Sequence, residues 1–252
     1  MRSNKISFST NFLLPIFTRQ FNLNFVNKLK LNSKAIDLQS EVGSGENLII
    51  FLSVSGCGRD TVLEECLTLV NKSERIKRTS TRCSRGDLKK VDHMVFLGEK
   101  GFIEKFKTKE ILFAGRYNVN NELYGISCKE LLKTRNKENL YFIESTLIGL
   151  SLKKLFPKSC LIVLIPPSFD FLRNRLLSRH DEDCLKRFNN SCLEIESIIS
   201  NIREMIECRI VDLALVNINS KRTANKIVEF LKNPERTDDL KKEFFEQIRS
   251  YE

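Results

Sequence analysis

An α/β fold built on a parallel sheet, with helices on both faces, is predicted by three features of this chain. Apolar runs of strand length recur along it. Segments of helical period separate them. The first apolar run passes through a glycine-containing turn straight into a helix. In order, "LIIFLSV" from residue 48 reads as a fully buried strand and residues 61–71 as a helix. "ILFAGRY" and "LYGIS" are shorter extended pieces. "NLYFIE" (139–144) and "SCLIVLIPP" (159–167) are two more strands, the second stopped by its double proline. "SFDFLRNRLLSR" and "DCLKRFNNSCLEIESIISNIREMIECR" are helical by period, "VDLALVNI" (211–218) is the last strand, and "SKRTANKIVEFL" the helix after it. Beyond Asn233-Pro234, "RTDDLKKEFFEQIRSYE" reads as a polar helical appendage. Ligands of such sheets bind at the carboxyl ends of the strands.

The chain divides into a leader and linker (1–46), a main domain (47–232) and a charged C-terminal helix (233–252). Its 252 residues are enough for one core of about 200 residues with extensions. The net charge of +10 favours anionic partners, whether nucleotides, phosphoproteins or RNA, without choosing among them. The eight cysteines form no C-x-x-C pair and the two histidines are His93 and His180, so no metal site is expected and the cysteines read as reduced, intracellular thiols. No apolar run reaches membrane-spanning length. Residues 1–36 lack Asp and Glu but carry Arg2, Lys5, Arg19, Lys28, Lys30 and Lys34 among many Ser, Asn and Phe. A basic, acid-free leader of this kind reads as an organellar transit peptide directing the chain to a mitochondrial or other matrix, and the residues to about 40 are expected to be disordered; a tail in a cytoplasmic protein is the other reading.

The turn after the first strand is Ser53, Val54, Ser55, Gly56, Cys57, Gly58, Arg59, Asp60, Thr61. It has the strand–turn–helix setting of the phosphate-binding pattern G-x-x-x-x-G-K-[ST]. Gly58 matches the second Gly; Ser53, Arg59 and Asp60 stand at the first Gly, the Lys and the Ser/Thr. Ser53 is expected to strain a backbone position suited to Gly. Arg keeps the charge of the Lys but not its shape, and Asp brings a negative charge to a phosphate site. Arg82 and Arg85 follow, three residues apart, a spacing at which two guanidiniums can grip one phosphate; alone they would read first as a basic surface loop.

Taken together, this turn, "TRCSR", "LYGIS", "IES" and "IPPSFDFLRNRLLSR…KRF" resemble, in order, the hallmarks of the guanylate kinase family from about residue 47 to 231. The resemblance implies a P-loop nucleoside monophosphate kinase fold with small monophosphate-binding and lid regions. It implies that Arg82, Arg85 and Tyr124 hold a nucleoside monophosphate, with His93 at a second tyrosine position, Asp87 near a family Glu, and Glu144 surviving from L-E-x-D. It places Arg59, Arg179 and Arg187, with Arg175, at the transferring phosphoryl group, and Asn217 beside an adenine site. ATP and Mg²⁺ are the cofactors if the chain is active. Departures fall in the P-loop and in the base pocket, where Arg116 stands near the guanine-reading Glu, Ile126 replaces a hydroxyl and Thr146 replaces an Asp. Guanine N–H donors left unpaired there cost about 1–3 kcal/mol each, so discrimination for guanine is expected to be largely gone. In these departures the chain is similar to the guanylate-kinase-like domains of membrane-associated scaffold proteins, which bind phosphorylated peptides. Two readings result. One is a pseudokinase that binds a nucleotide or phosphorylated partner through the surviving arginines, or RNA or an assembly through its basic face. The other is an active ATP-dependent (d)GMP or nucleoside monophosphate kinase.

Overall fold

A computed structural model describes residues 33–82, 93–117, 122–144, 148–178 and 183–251. Residues 1–32 of the leader lie outside them, as do Arg85, Asp87, Thr146, Arg179 and His180.

The first described element, α1 (Ser33–Val42), falls in the segment assigned to leader and linker. Ala35, Leu38 and Val42 lie on one helical stripe and are buried in the main core, so this part of the segment is ordered and packed rather than disordered. Next come β1 (Leu48–Ser53), α2 (Arg59–Leu69), β2 (Ser73–Arg75), β3 (Arg78–Ser80), β4 (Met94–Phe96), α3 (Glu99–Lys107), β5 (Ile111–Arg116) and β6 (Leu123–Ser127). The chain continues through α4 (Cys128–Leu132), β7 (Leu140–Glu144), α5 (Gly149–Leu155), β8 (Cys160–Ile165), α6 (Phe169–Leu177), α7 (Cys184–Glu207), β9 (Leu213–Val216), α8 (Ser220–Lys232) and α9 (Thr237–Ile248).

Five strands form one sheet in the order β2-β7-β1-β8-β9, with every pair parallel. Its centre is apolar because both faces are covered: β1 and β8 are buried along nearly their whole length. A second sheet, β4-β3-β6-β5, is mixed, with β3 antiparallel to β6 and β6 to β5. It carries its own small core of Phe102, Ile111, Ala114 and Leu123.

The predicted appendage is instead part of the packed structure. Phe244 and Ile248 of α9 are buried, the Tyr251 hydroxyl donates to the Pro166 carbonyl, and the Arg203 guanidinium lies 4.5 Å from the Phe245 ring centroid. The charged residues of α9 take the other face, which is why the segment reads as polar in composition. Among the described residues no helix is long and apolar enough to cross a membrane, and the seven described cysteines are free thiols.

Candidate functional site

The site lies where β1 and β7 end. Phe51 is in register with Glu144, so the turn after β1 and the last residue of β7 sit side by side. Ser53 closes β1 in register with Leu164. The left-handed residues of the turn are Gly56 and Gly58, both at φ 87°. The expected strain at Ser53 is therefore absent: it is a strand residue, and the chirality-sensitive positions have kept glycine. A Cβ on Gly58 would sit 2.6 Å from Arg175 Nη1 and 3.0 Å from Asn217 Nδ2. Asn217, expected beside an adenine, is buried and bonded within the protein at both ends: its Nδ2 donates to the Cys57 carbonyl at 2.7 Å and its Oδ1 accepts from Thr223 Oγ1 at 3.1 Å.

Of the charged groups of the turn, Arg59 faces inward and Asp60 lies at the surface. Arg59 opens α2, yet its guanidinium folds back to the sheet: Nε donates to Glu144 Oε2 at 3.2 Å and Nη1 to the Ser53 carbonyl at 3.1 Å. Glu144 has no exposed surface and also meets Arg75 Nη2 at 3.1 Å and Arg78 Nη2. Arg75 turns its other contacts to Asp60 Oδ1, at 2.6 Å, and to Glu64. Three arginines and three carboxylates thus form one network that runs from the buried Glu144 to Asp60 and Glu64 at the surface. Burial opposes ionisation of Asp60, but Arg59, Arg75 and Arg78 outweigh it and hold its carboxyl below the usual range. Burial and the neighbouring Arg59 push Arg78 down to about 9, leaving it charged at neutral pH. Asp60, His93 and Glu144 bring donor atoms within 4.8 Å of one another. A cation there would have to displace three guanidiniums from the same carboxylates. His93, pushed down to about 4 by burial and by Arg75, is neutral at physiological pH.

On the second sheet, Tyr124 lies opposite Ser80 in the β3–β6 ladder, close to Arg82. The Arg82 backbone N–H donates to Ser80 Oγ at 3.0 Å, and Thr81 is tied to β6 by its N–H to the Leu123 carbonyl, 3.0 Å. The Arg78 guanidinium is 6.0 Å from the Tyr124 ring centroid. Of the residues expected to hold a monophosphate, Tyr124 lies beside the Glu144 network and His93 on its Asp60 side, while Arg82 follows directly on β3 with its backbone N–H on Ser80. Arg85 lies outside the described residues. Arg116, near the guanine-reading position, is bound at 3.2 Å to Glu99 of α3, and Ile126 is in the core with no exposed surface. Arg175 approaches the loop from α6, Arg187 of α7 is buried, and Arg179 lies outside the described residues.

This arrangement does not fit ATP and Mg²⁺. The residue at the P-loop Lys position is bound to the sheet, and the residue at the metal-binding hydroxyl is a carboxylate bound to Arg75. Arg75 and Arg78 join the site without belonging to any of the motifs: in the sequence they are an R-x-x-R pair around the apolar Ile76, and nothing in that spacing places them against Glu144.

No family model matches the chain. It is 28% identical over 186 residues to the guanylate kinase of Caldanaerobacter subterraneus subsp. tengcongensis, covering 71% of this chain and 87% of that one. It is 28% identical over 196 residues to the guanylate kinase of Prochlorococcus marinus, covering 75% and 98%. The crystal structure of guanylate kinase from Anaplasma phagocytophilum matches with a TM-score of 0.55 at 20% identity, over 75% of this chain and 87% of that one, which establishes a shared fold.

Proposed function

Since the chain carries a guanylate-kinase-like domain, we propose that it is a binding module for phosphate monoesters whose GMP kinase turnover is far below that of a working nucleoside monophosphate kinase. The observation that carries this reading is the inward turn of Arg59. A cation that must reach a transferring phosphoryl group is spent on Glu144 and the Ser53 carbonyl. The ligand is a nucleotide or a phosphorylated partner, held by Arg82 and Tyr124. Base identity contributes little, because Arg116 is engaged by Glu99 and Ile126 is in the core. A second reading, an active ATP-dependent nucleoside monophosphate kinase, is favoured by one observation: Arg175 stands over Gly58, where a lid arginine would act.

Calorimetry separates specific phosphate binding from a merely basic surface. GMP, AMP and a phosphoserine peptide should bind with similar affinity. Arg82→Ala should weaken all three roughly 10–150-fold, since a charge-assisted contact is worth about 1.5–3 kcal/mol. GMP binding much tighter than AMP would restore a base-reading pocket. An unchanged affinity in Arg82→Ala would leave the arginines as surface charge alone.

A further inference from the structure

Helix α7 changes character where it passes the P-loop. Along its buried face the C-terminal half presents Ile195, Ile198, Ile202 and Met205, an ordinary apolar stripe. Nearer the N-terminus the buried positions are Arg187, Ser191 and Glu194. Seven residues separate Arg187 from Glu194, two turns on one side of the helix and about 10 Å along its axis. Ser191 Oγ donates to the Ser55 carbonyl at 3.3 Å, which fixes this face against the loop. Arg187 and Glu194 are 7% and 8% exposed, yet Arg187 Nε and Glu194 Oε2 are both buried without a hydrogen-bond partner. Only Glu194 Oε1 is satisfied, accepting from Asn190 Nδ2 at 2.8 Å. Among the described residues no Lys or Arg forms an ion pair with Glu194.

Polar atoms buried without partners are costly, and a helix packing on a core has no reason to place two of them opposite a phosphate loop unless something else meets them. The surroundings say what. Arg59 of α2 is the charged group that acts on Glu194, and the Tyr117 phenol beyond β5 lies in the field of both Glu194 and Arg187. Tyr117 stacks edge-on against Tyr124, with ring centroids 6.4 Å apart, so the patch adjoins the place where a phosphate would lie. A field of this sign suits an anion. An ionised carboxylate within it would repel that anion; a protonated one would donate to it.

We propose that Glu194 completes the anion site of this domain as a neutral carboxylic acid, donating a hydrogen bond to a phosphate oxygen alongside Arg187. This deepens the phosphate-monoester reading above and rests on it. Burial is the main cause that raises the Glu194 carboxyl, to about 8, with the Asn190 hydrogen bond and Arg59 acting against it. The group is therefore protonated through neutral pH and loses its proton as pH rises through about 8. Over this range a phosphate monoester stays a dianion, its second pKa being about 6, so the ligand contributes no titration of its own.

The test is the affinity for phenyl phosphate, measured by calorimetry from pH 7 to pH 9 on the full chain. Wild-type affinity should fall about tenfold across the range as the carboxyl ionises. E194Q, permanently neutral and still a donor, should bind within about threefold of wild type at pH 7 and show a profile flatter than wild type's. E194A should bind about tenfold more weakly at pH 7. Any onset of Arg78 titration would affect wild type and E194Q alike and so cancels in their comparison. Identical pH profiles for wild type and E194Q would overturn the proposal, as would full affinity in E194A. Arg82→Ala separates the two levels: if it weakens binding while the Glu194 variants behave as wild type, only the role of Glu194 fails; if it has no effect, the phosphate-monoester reading itself fails.

Discussion

Glu144→Ala is expected to destabilise the protein by about 3–5 kcal/mol, the largest effect of any single substitution in the charged network. The carboxylate has no exposed surface, accepts a hydrogen bond from Arg59 and is ion-paired with Arg75 and Arg78. Removing it leaves the largely buried Arg59 and Arg78 guanidiniums without a carboxylate, while Arg75 keeps only Asp60 and Glu64. In a chain of this size each kcal/mol lowers Tm by roughly 2–4 °C, so thermal unfolding should shift down by about 6–20 °C. Glu144→Gln should also be destabilising, since it keeps the shape but removes the charge that holds the arginines. A variant melting within a degree or two of wild type would mean that the three arginines are held by something other than Glu144, and the reason for Arg59 turning inward would be lost.

The second large effect concerns ATP. Arg59→Lys combined with Asp60→Thr should tighten ATP binding at least about tenfold, a change of roughly 1.4 kcal/mol. The shorter ammonium cannot bond Glu144 and the Ser53 carbonyl at once in the manner of a guanidinium, and the threonine removes the carboxylate that Arg75 now holds. Arg75 and Arg78 remain on Glu144, so the fold should survive. Adding Ser53→Gly should contribute little, because Ser53 is extended backbone inside β1. GMP turnover should recover less than ATP affinity, since Arg116 and Ile126 are unaltered. Equal ATP affinity in wild type and the double variant, measured by calorimetry, would show that the loop is limited by something other than its internal ion pairs.

Much of the fold was legible because the central strands are long and apolar. β1, β8 and β9 carry continuous hydrophobic runs, and α7 and α8 have clear helical periods. The three-residue strands β2, β3 and β4 were not legible, because a run that short has no period to read. α1 was hidden by its neighbourhood: three buried residues in ten carry the packing, while the surrounding composition is that of a leader. α9 was read as an appendage because its charges dominate the count, although Phe244 and Ile248 decide where it goes. At the site, the order of the motifs singled out Arg82, Tyr124 and Glu144 as candidates. It could not say which way Arg59 points. That depends on Arg75 and Arg78, brought by β2 and β3 to a carboxylate more than 60 residues further along the chain. Long-range ion pairs of this kind leave no local signature.

Steady-state turnover with saturating ATP and GMP bears most directly on the inward-facing P-loop. A coupled assay on the purified protein should give a kcat far below the 1–100 s⁻¹ or so typical of kinases, because the loop cation is bound to Glu144 and the metal-binding hydroxyl is replaced by a carboxylate held by Arg75. A kcat within that range would contradict it, and would mean that Arg59 leaves Glu144 when ATP arrives.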